Sequence, residues 1–178
     1  MMTLLKPIRI TSSEHVEILR QIYNENLDML GTIMLPHRSY EEQQNWWNEN
    51  KYKLEGYLYE CVGISNDSIA FLVLTNKGNF KTPIIAIKKK YWGKGYAKEI
   101  ISDYIEKANS PLAGSQFQSN GAICHLNKKM GWQIIGQSNQ PNGIIDLLYH
   151  PGINLDKKDD IFIYNEIVNY LNEKHKPL

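Results

Sequence analysis

The sequence predicts a mixed α/β fold, in which helices cover both faces of a central sheet of about seven strands. Short apolar or alternating segments typical of strands recur along the 178 residues, and amphipathic segments with helical spacing lie between them. Turn residues and helix caps separate the two kinds of segment. In chain order the elements read β-α-α-β-β-β-α-β-α-β-β, and one further helix follows.

The first two elements are a strand and an amphipathic helix. Residues Ile8–Ile10 alternate as a short strand does. A residue within Thr11–Ser13 caps the following helix, with Glu14 in its first turn. The face predicted to be buried consists of Val16, Leu19, Ile22 and Tyr23.

A second helix follows a loop at Gly31–Arg38, which Pro36 interrupts. Ser39 is a suitable N-cap and Glu42 stands three residues later, so the pair forms a capping-box pattern. In such a box each side chain accepts a backbone N–H that the helix cannot satisfy itself. The pattern predicts a helix that runs through Trp46–Trp47.

The middle of the chain is predicted to form strands. Gly56–Val62 and Ile69–Leu74 flank a turn at Asn66–Asp67 and resemble a β-hairpin. Pro83–Ile87 is short and almost continuously apolar, which predicts a central strand covered on both faces. The remaining predicted elements are a helix with Ile100, Ile101, Tyr104, Ile105 and Ala108 on one stripe, a strand at Leu112–Phe117, a helix at Asn120–Met130 ended by Gly131, strands at Trp132–Gly136 and Ile144–Tyr149, and a C-terminal helix capped by Asp159 or Asp160.

The composition argues against several classes of protein. Lys plus Arg number 20 against 19 Asp plus Glu, so no large net field would draw the chain onto nucleic acid. No segment reaches the roughly 20 apolar residues of a membrane span, and the first residues lack the apolar core of a signal peptide. Cys61 and Cys124 form no CxxC pair, so we expect buried thiols and no metal site. We therefore expect one cytoplasmic domain over residues 1–178, with no nucleic-acid or membrane partner.

The segment Tyr91–Lys98 is the most informative for chemistry. It reads Tyr-Trp-Gly-Lys-Gly-Tyr-Ala-Lys and joins the strand Pro83–Ile87 to a helix. The first N–H groups of a helix lack internal partners, and the aligned peptide dipoles add partial positive charge there. Gly93 and Gly95 have no Cβ, so the backbone can approach a phosphate closely. Because further lysines lie upstream at Lys88–Lys90, a pyrophosphate would fit this turn.

Two other kinds of phosphate loop do not match. A P-loop requires GxxxxGK[ST], but Gly93-Lys94 is followed by Gly95, and Lys88 stands five residues before Gly93. The dinucleotide fingerprint GxGxxG requires a glycine where this chain has Lys98. Both classes of nucleotide-binding protein are therefore excluded.

The loop resembles the acyl-CoA loop of the GNAT superfamily of N-acyltransferases, whose usual pattern is Gln/Arg-x-x-Gly-x-Gly/Ala. Gly95 and Ala97 fit this pattern, whereas Trp92 stands where the family has Gln or Arg. The amino-acid sequence of Tyr91–Glu99 is similar to that of the ribosomal-protein acetyltransferase-like branch of the superfamily. Downstream, Asn120 and the Lys-Met-Gly-Trp sequence that contains Gly131 resemble the family's Asn-…-Lys-Leu-Gly-Phe helix.

The resemblance covers roughly residues 6–149, and residues 151–178 form a helical extension that could cover the sheet or join a homodimer. It implies a sheet splayed in the middle and direct transfer from acetyl-CoA, or another short acyl-CoA, to a primary amine, without a metal. The contacts implied for coenzyme A are with Ile85, Ile87, Trp92, Gly93, Lys94, Gly95, Tyr96, Ala97, Lys98 and Asn120.

The sequence does not decide which residues act as the general acid and the general base. The family often places a Tyr acid four residues before the helix-ending glycine, where this chain has Asn127, whose NH₂ could hydrogen-bond the sulfur. The strand Pro83–Ile87 lacks the carboxylate that some members use as a base. Candidate bases are His37, in the loop where the family builds its acceptor pocket, and His125, on the helix of Asn127. Lesser candidates are Glu41, Glu42, Asp146 and His150.

The sequence also does not decide which amine accepts the acyl group. His37, Glu41 and Trp46 are the candidate acceptor contacts, and Ser39–Trp46 resembles a region of enzymes that acylate amino sugars on nucleotide carriers. The aromatic residues expected to wall a pocket, or else to fill the core, are Trp46, Trp47, Tyr52, Tyr57 and Tyr59. Three functions compete: an N-acyltransferase for a small amine, with a nucleotide-linked amino sugar of surface-polysaccharide biosynthesis as one acceptor; an acetyltransferase for protein N-termini or lysines; and a non-catalytic acyl-CoA-binding module.

Overall fold

The structure, a computed structural model, describes residues 5–30, 36–62, 67–151 and 157–175. In these residues the strands β1–β7 are Leu5–Arg9, Leu54–Cys61, Ser68–Asn76, Lys81–Ile87, Leu112–Phe117, Gln133–Gln140 and Gly143–His150. The helices α1–α5 are Ser13–Glu25, Tyr40–Asn50, Tyr96–Ala108, Gly121–Lys129 and Lys157–Lys174. Short 3-10 turns lie at Lys51–Lys53 and Lys89–Tyr91. The order of strands and α-helices is the one predicted from the sequence.

The strands form one mixed sheet in the order β1-β2-β3-β4-β5-β7-β6. The pairs β1–β2, β2–β3, β5–β7 and β6–β7 are antiparallel. Strands β4 and β5 are parallel, and their ladder consists of one pair, Lys81 with Leu112, at the start of both strands. These pairings confirm the predicted fold class.

The described residues form two compact units. The first contains those within 5–75 and 84–100, and the second contains those within 76–83 and 101–175. In the first unit, α1 and the β2–β3 hairpin share a core that includes Val16, Leu19, Ile22, Tyr23, Leu58 and Phe71. In the second unit, α5 lies on β7 in a core that includes Ile145, Leu147, Ile163, Ile167 and Leu171. Each such side chain contributes about 1.5–3 kcal/mol when it leaves water, so these two faces hold α1 and α5 in place.

Helices α1 and α2 begin where their caps predict. The Ser12 hydroxyl accepts the His15 N–H at 3.2 Å. At α2, the Ser39 hydroxyl accepts the Glu42 N–H at 3.2 Å, and the Glu42 carboxylate accepts the Ser39 N–H at 2.7 Å. The backbone hydrogen bond from Ser39 is the largest cause that lowers the pKa of Glu42 below its ordinary value. The capping box is therefore formed in full.

The prediction that protein covers both faces of β4 is wrong. Ala86 is buried, but Ile84 is 40% exposed and the other side chains of β4 are only half-buried. An apolar run shows which residues avoid water, but it does not show which part of the protein covers them.

Some predicted boundaries also need correction. Helix α5 begins at Lys157, so Asp159 and Asp160 lie inside it and not at its cap. A carboxylate is favourable in the first turn as well as at the cap, so the sequence pattern did not separate the two positions. Strand β6 continues to Gln140, which leaves Pro141-Asn142 as the connection to β7. The loop residues 31–35 and the turn residue 66 lie outside the described residues.

Candidate active site

Gly93 and Gly95 shape the connection between β4 and α3. Their φ angles are 74° and 86°, in the left-handed region that residues with a side chain rarely adopt. A Cβ placed on either residue would meet no atom of the described residues within 4 Å. Both glycines are thus required by the backbone conformation, while the space in front of them is open.

Helix α3 begins at Tyr96, directly after these glycines. Lys98 N–H donates to the Gly95 carbonyl at 3.1 Å, which closes the first turn. The Tyr96 side chain is buried, with its hydroxyl 3.6 Å from the Cys61 Sγ, so it anchors the start of the helix. Gly95 has no side chain with which to cap the helix, so the positive end of the α3 dipole faces open space. Such an end is suited to binding an anion.

Three lysines that precede the loop are neutralised by carboxylates. The ammonium groups of Lys88 and Lys90 lie 2.6 and 3.0 Å from the Asp67 carboxylate, and Lys89 lies 3.0 Å from Asp28. The hydrogen bond from Lys88 is the largest cause that lowers the pKa of Asp67, and the bond to Asp67 raises the pKa of Lys90. The sequence suggested that these lysines add charge for a phosphate, but the structure assigns them to ion pairs.

Lys94 and Lys98 differ from these three. Neither forms an ion pair within the part of the chain that the structure describes. The Lys94 ammonium lies 5.0 Å from the centroid of the Tyr91 ring, and Lys98 is exposed on the first turn of α3. The positive charge that remains at the glycine loop therefore comes from these two residues.

The backbone of β4 presents one edge away from β3. Lys88 N–H donates to the Ile69 carbonyl of β3 at 2.8 Å. Because successive N–H groups of a strand point to opposite edges, the N–H groups of Ile85 and Ile87 point away from β3. These are two of the residues that the resemblance assigns to contacts with coenzyme A.

Trp92 ties the loop to the end of β4. Its indole N–H donates to the Ile87 carbonyl at 2.8 Å. The ring is 44% exposed, and the Lys89 ammonium lies 5.7 Å from it. The residue that replaces the family's Gln or Arg therefore contacts the strand.

Asn120 is the N-cap of α4. Its Oδ1 accepts the Ile123 N–H at 3.3 Å, so its carbonyl oxygen is engaged in capping. Gly131 ends this helix with a φ of 89°, as predicted. His125 is exposed on the same helix, and no hydrogen bond to the described part of the chain orients it.

Asn127 belongs to a buried chain of hydrogen bonds that the sequence did not reveal. Its Nδ2 donates to the Gln116 Oε1 at 2.7 Å, and the Gln116 Nε2 donates to the Asp146 carboxylate at 3.1 Å. The three side chains are 8%, 7% and 4% exposed. Asn127 therefore serves this internal network, and one of its N–H groups is already used.

The Asp146 carboxylate is held by neutral donors. Besides Gln116, the side chains of Gln118 and Gln137 donate to it at 2.8 and 3.0 Å. Burial acts to raise the pKa of Asp146, but these three hydrogen bonds outweigh burial and lower the pKa below its ordinary value. Gln116 and Gln137 pair directly with Asp146 in the register of the sheet, so strand alternation was the one signal that could have predicted the cluster.

Several solved structures of N-acetyltransferases are similar to this structure. A protein assigned as a phosphinothricin N-acetyltransferase is similar with a TM-score of 0.72 and 15% sequence identity, over 83% of this chain and 98% of that chain. The spermidine N-acetyltransferase of Vibrio cholerae, in complex with CoA and spermine, is similar with a TM-score of 0.73 and 15% identity, over 83% and 95% of the two chains. A dodecameric structure of the same Vibrio cholerae enzyme gives 0.69 and 15%, over 83% and 93%.

The chain has the GNAT fold. At this level of identity the similarity extends to the fold, and the ribosomal-protein acetyltransferase-like branch stays a hypothesis. No protein-family model matches the sequence, and no curated protein matches it.

The candidate acceptor contacts lie around the start of α2. His37 and Glu41 are exposed, whereas Trp46 is half-buried against the core of the first unit. The Arg38 guanidinium lies between two aromatic rings, 4.6 Å from the centroid of Tyr23 and 4.8 Å from that of Trp46. Arg38 was not predicted from the sequence, although its position next to His37 could have drawn attention to it.

The aromatic residues of the first half do not wall one pocket. Trp47 and Tyr59 are buried, so they fill the core. Tyr52 is 82% exposed, and the Tyr57 hydroxyl accepts a hydrogen bond from Arg9 at 2.8 Å. Of the set, Trp46 stays a candidate for contact with an acceptor.

In the described ranges, no group of three or more His, Cys, Asp and Glu side chains could hold a metal ion. No helix in these ranges has both the length and the apolar character to cross a membrane.

Proposed function

We propose that this protein is an acyl-CoA-dependent N-acyltransferase that moves an acetyl or other short acyl group to a primary amine of a small molecule. The observation that carries the proposal is the start of α3. There, two glycines in left-handed conformations open the backbone to an anion, and two lysines that have no carboxylate partner among the described residues supply charge. A diphosphate with a further phosphate group, as in coenzyme A, matches such a site.

The loop and the strand that precedes it hold different parts of coenzyme A in this proposal. The backbone N–H groups of Gly93–Ala97 bind the pyrophosphate, and Lys94 and Lys98 add charge to the same contact. The Ile85 N–H, which points away from β3, pairs with the pantetheine arm, and the Ile87 N–H points to the same edge of the strand. The half-exposed apolar side chains of β4 gain cover when the arm lies along them.

The chain supplies positioning and a hydrogen bond to the reacting group. Bound acyl-CoA brings an acyl group already activated as a thioester. The Ile87 N–H donates to the thioester carbonyl and stabilises the negative charge that develops on its oxygen. Holding the amine in line with this carbonyl provides much of the rate, because the reaction then needs no encounter between free partners.

Few side chains are candidates to accept the proton of the amine or to donate one to the thiolate. The amine must lose a proton to become a nucleophile, and β4 after Lys81 carries no ionisable side chain that could accept it. His37 is our candidate base, with His125 as the alternative. Asn127 cannot release a proton at neutral pH, so the thiolate takes its proton from water.

The acceptor is a small amine in this proposal. The similar Vibrio cholerae protein is a spermidine N-acetyltransferase, which supports an acceptor of this size. A nucleotide-linked amino sugar is the more specific hypothesis, and the resemblance of Ser39–Trp46 is its support.

Thiol release with a panel of amines tests the proposal. Acetyl-CoA is mixed with the protein and, separately, with spermidine, a UDP-linked amino sugar and a lysine-containing peptide. We expect thiol release above the amine-free rate with at least one small amine. Release with the peptide alone would identify a protein acetyltransferase.

Calorimetry with coenzyme A completes this test. Coenzyme A binding without turnover of any amine would identify a non-catalytic binding module. If coenzyme A does not bind, the whole proposal is wrong.

A further inference from the structure

Arg38 lies in the segment that precedes α2, and side chains of α1 fix its backbone. Its N–H donates to the Asn24 Oδ1 at 2.9 Å, and its carbonyl accepts from the Asn24 Nδ2 at 2.8 Å. The Arg20 guanidinium also donates to this carbonyl, at 3.1 Å. The Arg38 side chain therefore starts from a defined position, although the residue belongs to no helix or strand.

The Arg38 side chain is itself held by three neighbours. Its guanidinium carbon lies 4.6 Å from the centroid of Tyr23 and 4.8 Å from that of Trp46, and its Nη1 donates to the Gln43 Oε1 at 3.0 Å. Holding an arginine in one conformation costs up to about 2 kcal/mol of rotamer entropy. A guanidinium that is fixed in advance, as here, loses less when it binds a carboxylate or a phosphate.

No ion pair neutralises Arg38 in the part of the chain that the structure describes. Glu17 pairs with Arg20 at 2.6 Å, and the Glu42 carboxylate accepts the Ser39 N–H of the capping box. Arg38 is only a minor cause of the lowered pKa of Glu42, behind the hydrogen bonds from Ser39. The aromatic rings attract the cation but leave its charge in place, so the charge is available to an external anion.

Two buried donors beside Arg38 have no hydrogen-bond partner among the described residues, the Tyr23 hydroxyl and the Gln43 Nε2. Their side chains are 4% and 0% exposed. A guanidinium only donates, so the oxygen of the Gln43 amide faces Arg38 and the Nε2 needs another acceptor. Burial raises the pKa of Tyr23, so the hydroxyl keeps its proton and can donate it. Unpaired buried donors are unfavourable unless a ligand supplies the acceptor.

These groups lie close to the end of β4 that holds the thioester in the proposed function. Glu25, two residues after Tyr23 on α1, accepts the N–H of Lys89, two residues after the end of β4, at 2.7 Å. Tyr23 also belongs to the same core as Ala86 of β4. An acceptor bound at these groups can therefore extend its amine toward the acyl group.

We propose that Arg38, Tyr23 and Gln43 bind an oxyanion of the acceptor, so that the acceptor is an amine that also carries a carboxylate or a phosphate. This inference rests on the proposed acyl transfer and names the class of its acceptor. A polyamine does not belong to the class, because it carries only positive charges and Arg38 repels them. A nucleotide-linked amino sugar belongs to it through its diphosphate.

Thiol release from acetyl-CoA with matched pairs of amines tests the proposal. The carboxylate pair is 4-aminobutanoate and 4-aminobutanamide, the phosphate pair is a UDP-linked amino sugar and the free amino sugar, and spermidine is the cationic arm. We expect kcat/KM to be at least about tenfold higher for the anionic member of one pair, as charge-assisted hydrogen bonds predict. The pair that shows this preference identifies the source of the oxyanion.

The same experiment separates two kinds of failure. Thiol release that is as fast with the neutral amines or with spermidine as with the anionic ones would overturn the inference and leave acyl transfer in place. No thiol release with any amine would contradict the proposed acyl transfer, and the inference with it.

Arg38→Gln is expected to remove the preference for the anionic member, because it keeps a hydrogen-bonding side chain but loses the charge. The matched control is Arg9→Gln, since the Arg9 guanidinium also lies over a ring, 5.0 Å from the centroid of Tyr57. We expect the control to keep the wild-type preference. A ratio of two kcat/KM values does not depend on the folded fraction of a variant, so an unchanged ratio in Arg38→Gln would assign Arg38 a purely structural role and overturn the proposal.

Tyr23→Phe removes the hydroxyl and keeps the ring. We expect it to lower the preference at least about threefold and to raise the urea midpoint, since an unpaired buried hydroxyl is unfavourable when no ligand is bound. A lower midpoint together with an unchanged preference would mean that the hydroxyl bonds within the protein, against the proposal.

Discussion

Helices α2 and α3 start in opposite ways, although both starts belong to the first unit. Helix α2 has Ser39 at its cap and Glu42 three residues later, and the two side chains satisfy backbone N–H groups of the first turn. Helix α3 has Gly95 and Lys98 at the corresponding positions. One start provides acceptors for its own N–H groups at the cap and at the third helical residue, whereas the other has a glycine and a lysine there, with Glu99 following in the first turn.

The difference shows how a sequence leaves the N–H groups at a helix N-terminus available to a ligand. Helices α1 and α4 agree with α2, because Ser12 and Asn120 accept N–H groups of their first turns. A self-capped end has little affinity left for an external anion, since its donors are occupied. An uncapped end with an open approach remains available, and α3 is the helix among these four that has one.

The largest expected effect comes from placing a carboxylate in the α3 loop. We predict that Gly95→Glu weakens coenzyme A binding at least about a hundredfold, equivalent to about 2.8 kcal/mol, because a side chain and a negative charge enter the phosphate site. Calorimetric titration with coenzyme A measures this change.

Gly78→Glu is the matched control for this variant. Gly78 has a φ of 90°, and a Cβ there would also meet no atom within 4 Å in the part of the chain that the structure describes, so both variants carry the same kind of backbone strain. We expect Gly78→Glu to bind coenzyme A as the wild type does. Equal affinities in the two variants would mean that the loop is not the phosphate site.

A smaller effect is expected when α3 is given the carboxylate that α2 has. Lys98→Glu places an acceptor at the position that corresponds to Glu42, and we predict coenzyme A affinity at least about tenfold lower, from the lost charge and the new repulsion. Lys89→Gln is the control, since Lys89 is already paired with Asp28. The contrast between these helix ends would be refuted if Lys89→Gln weakened binding more than Lys98→Glu.

The smallest effect is expected at α2 itself and concerns stability. We predict that Ser39→Ala lowers the free energy of unfolding by about 1 kcal/mol through loss of the cap, and leaves coenzyme A affinity unchanged. Urea unfolding measures the first quantity, and calorimetric titration the second.

The capping box also predicts a pH dependence. Its hydrogen bonds lower the pKa of Glu42 below the ordinary value of 4.5. The resulting stabilisation is therefore full above about pH 4.5 and is lost as the pH falls through the lowered folded-state pKa. Urea unfolding at a series of pH values should show the wild-type advantage over Glu42→Gln shrinking in acid, because Ser39→Ala would keep the backbone N–H that the carboxylate accepts. An unchanged difference would contradict the prediction.

Much of the α3 site could be predicted from the sequence. The glycines and the helix that follows them depend on neighbours within one turn, whereas the role of Asn120 as the cap of α4 was not predicted. The ion pairs could not be predicted, because Lys89 and Asp28 are 61 residues apart and Lys88 and Asp67 are 21 apart. Without these partners, five lysines near the loop look equivalent, and the structure leaves two of them unpaired in its described part.

The buried network around Asp146 could not be predicted either, because it also joins residues that are far apart in the chain. The sequence marked Asn127 by its distance from Gly131, but its partner Gln116 lies on β5, and the Asp146 that Gln116 contacts is 30 residues further along the chain. Sheet register sets these contacts. A pattern read along one segment does not contain that register.

By itself, the sequence determined the order of the elements, the starts of α1 and α2, and the open glycine turn before α3. These follow from periodicity, caps and the absence of a Cβ, all of which act between residues close in the chain. The tertiary structure decided which lysines form ion pairs, how little protein covers β4, and which glutamine side chains bind Asp146. Those outcomes depend on which distant strands and helices meet, because an ion pair, a buried face or a side-chain network requires two segments.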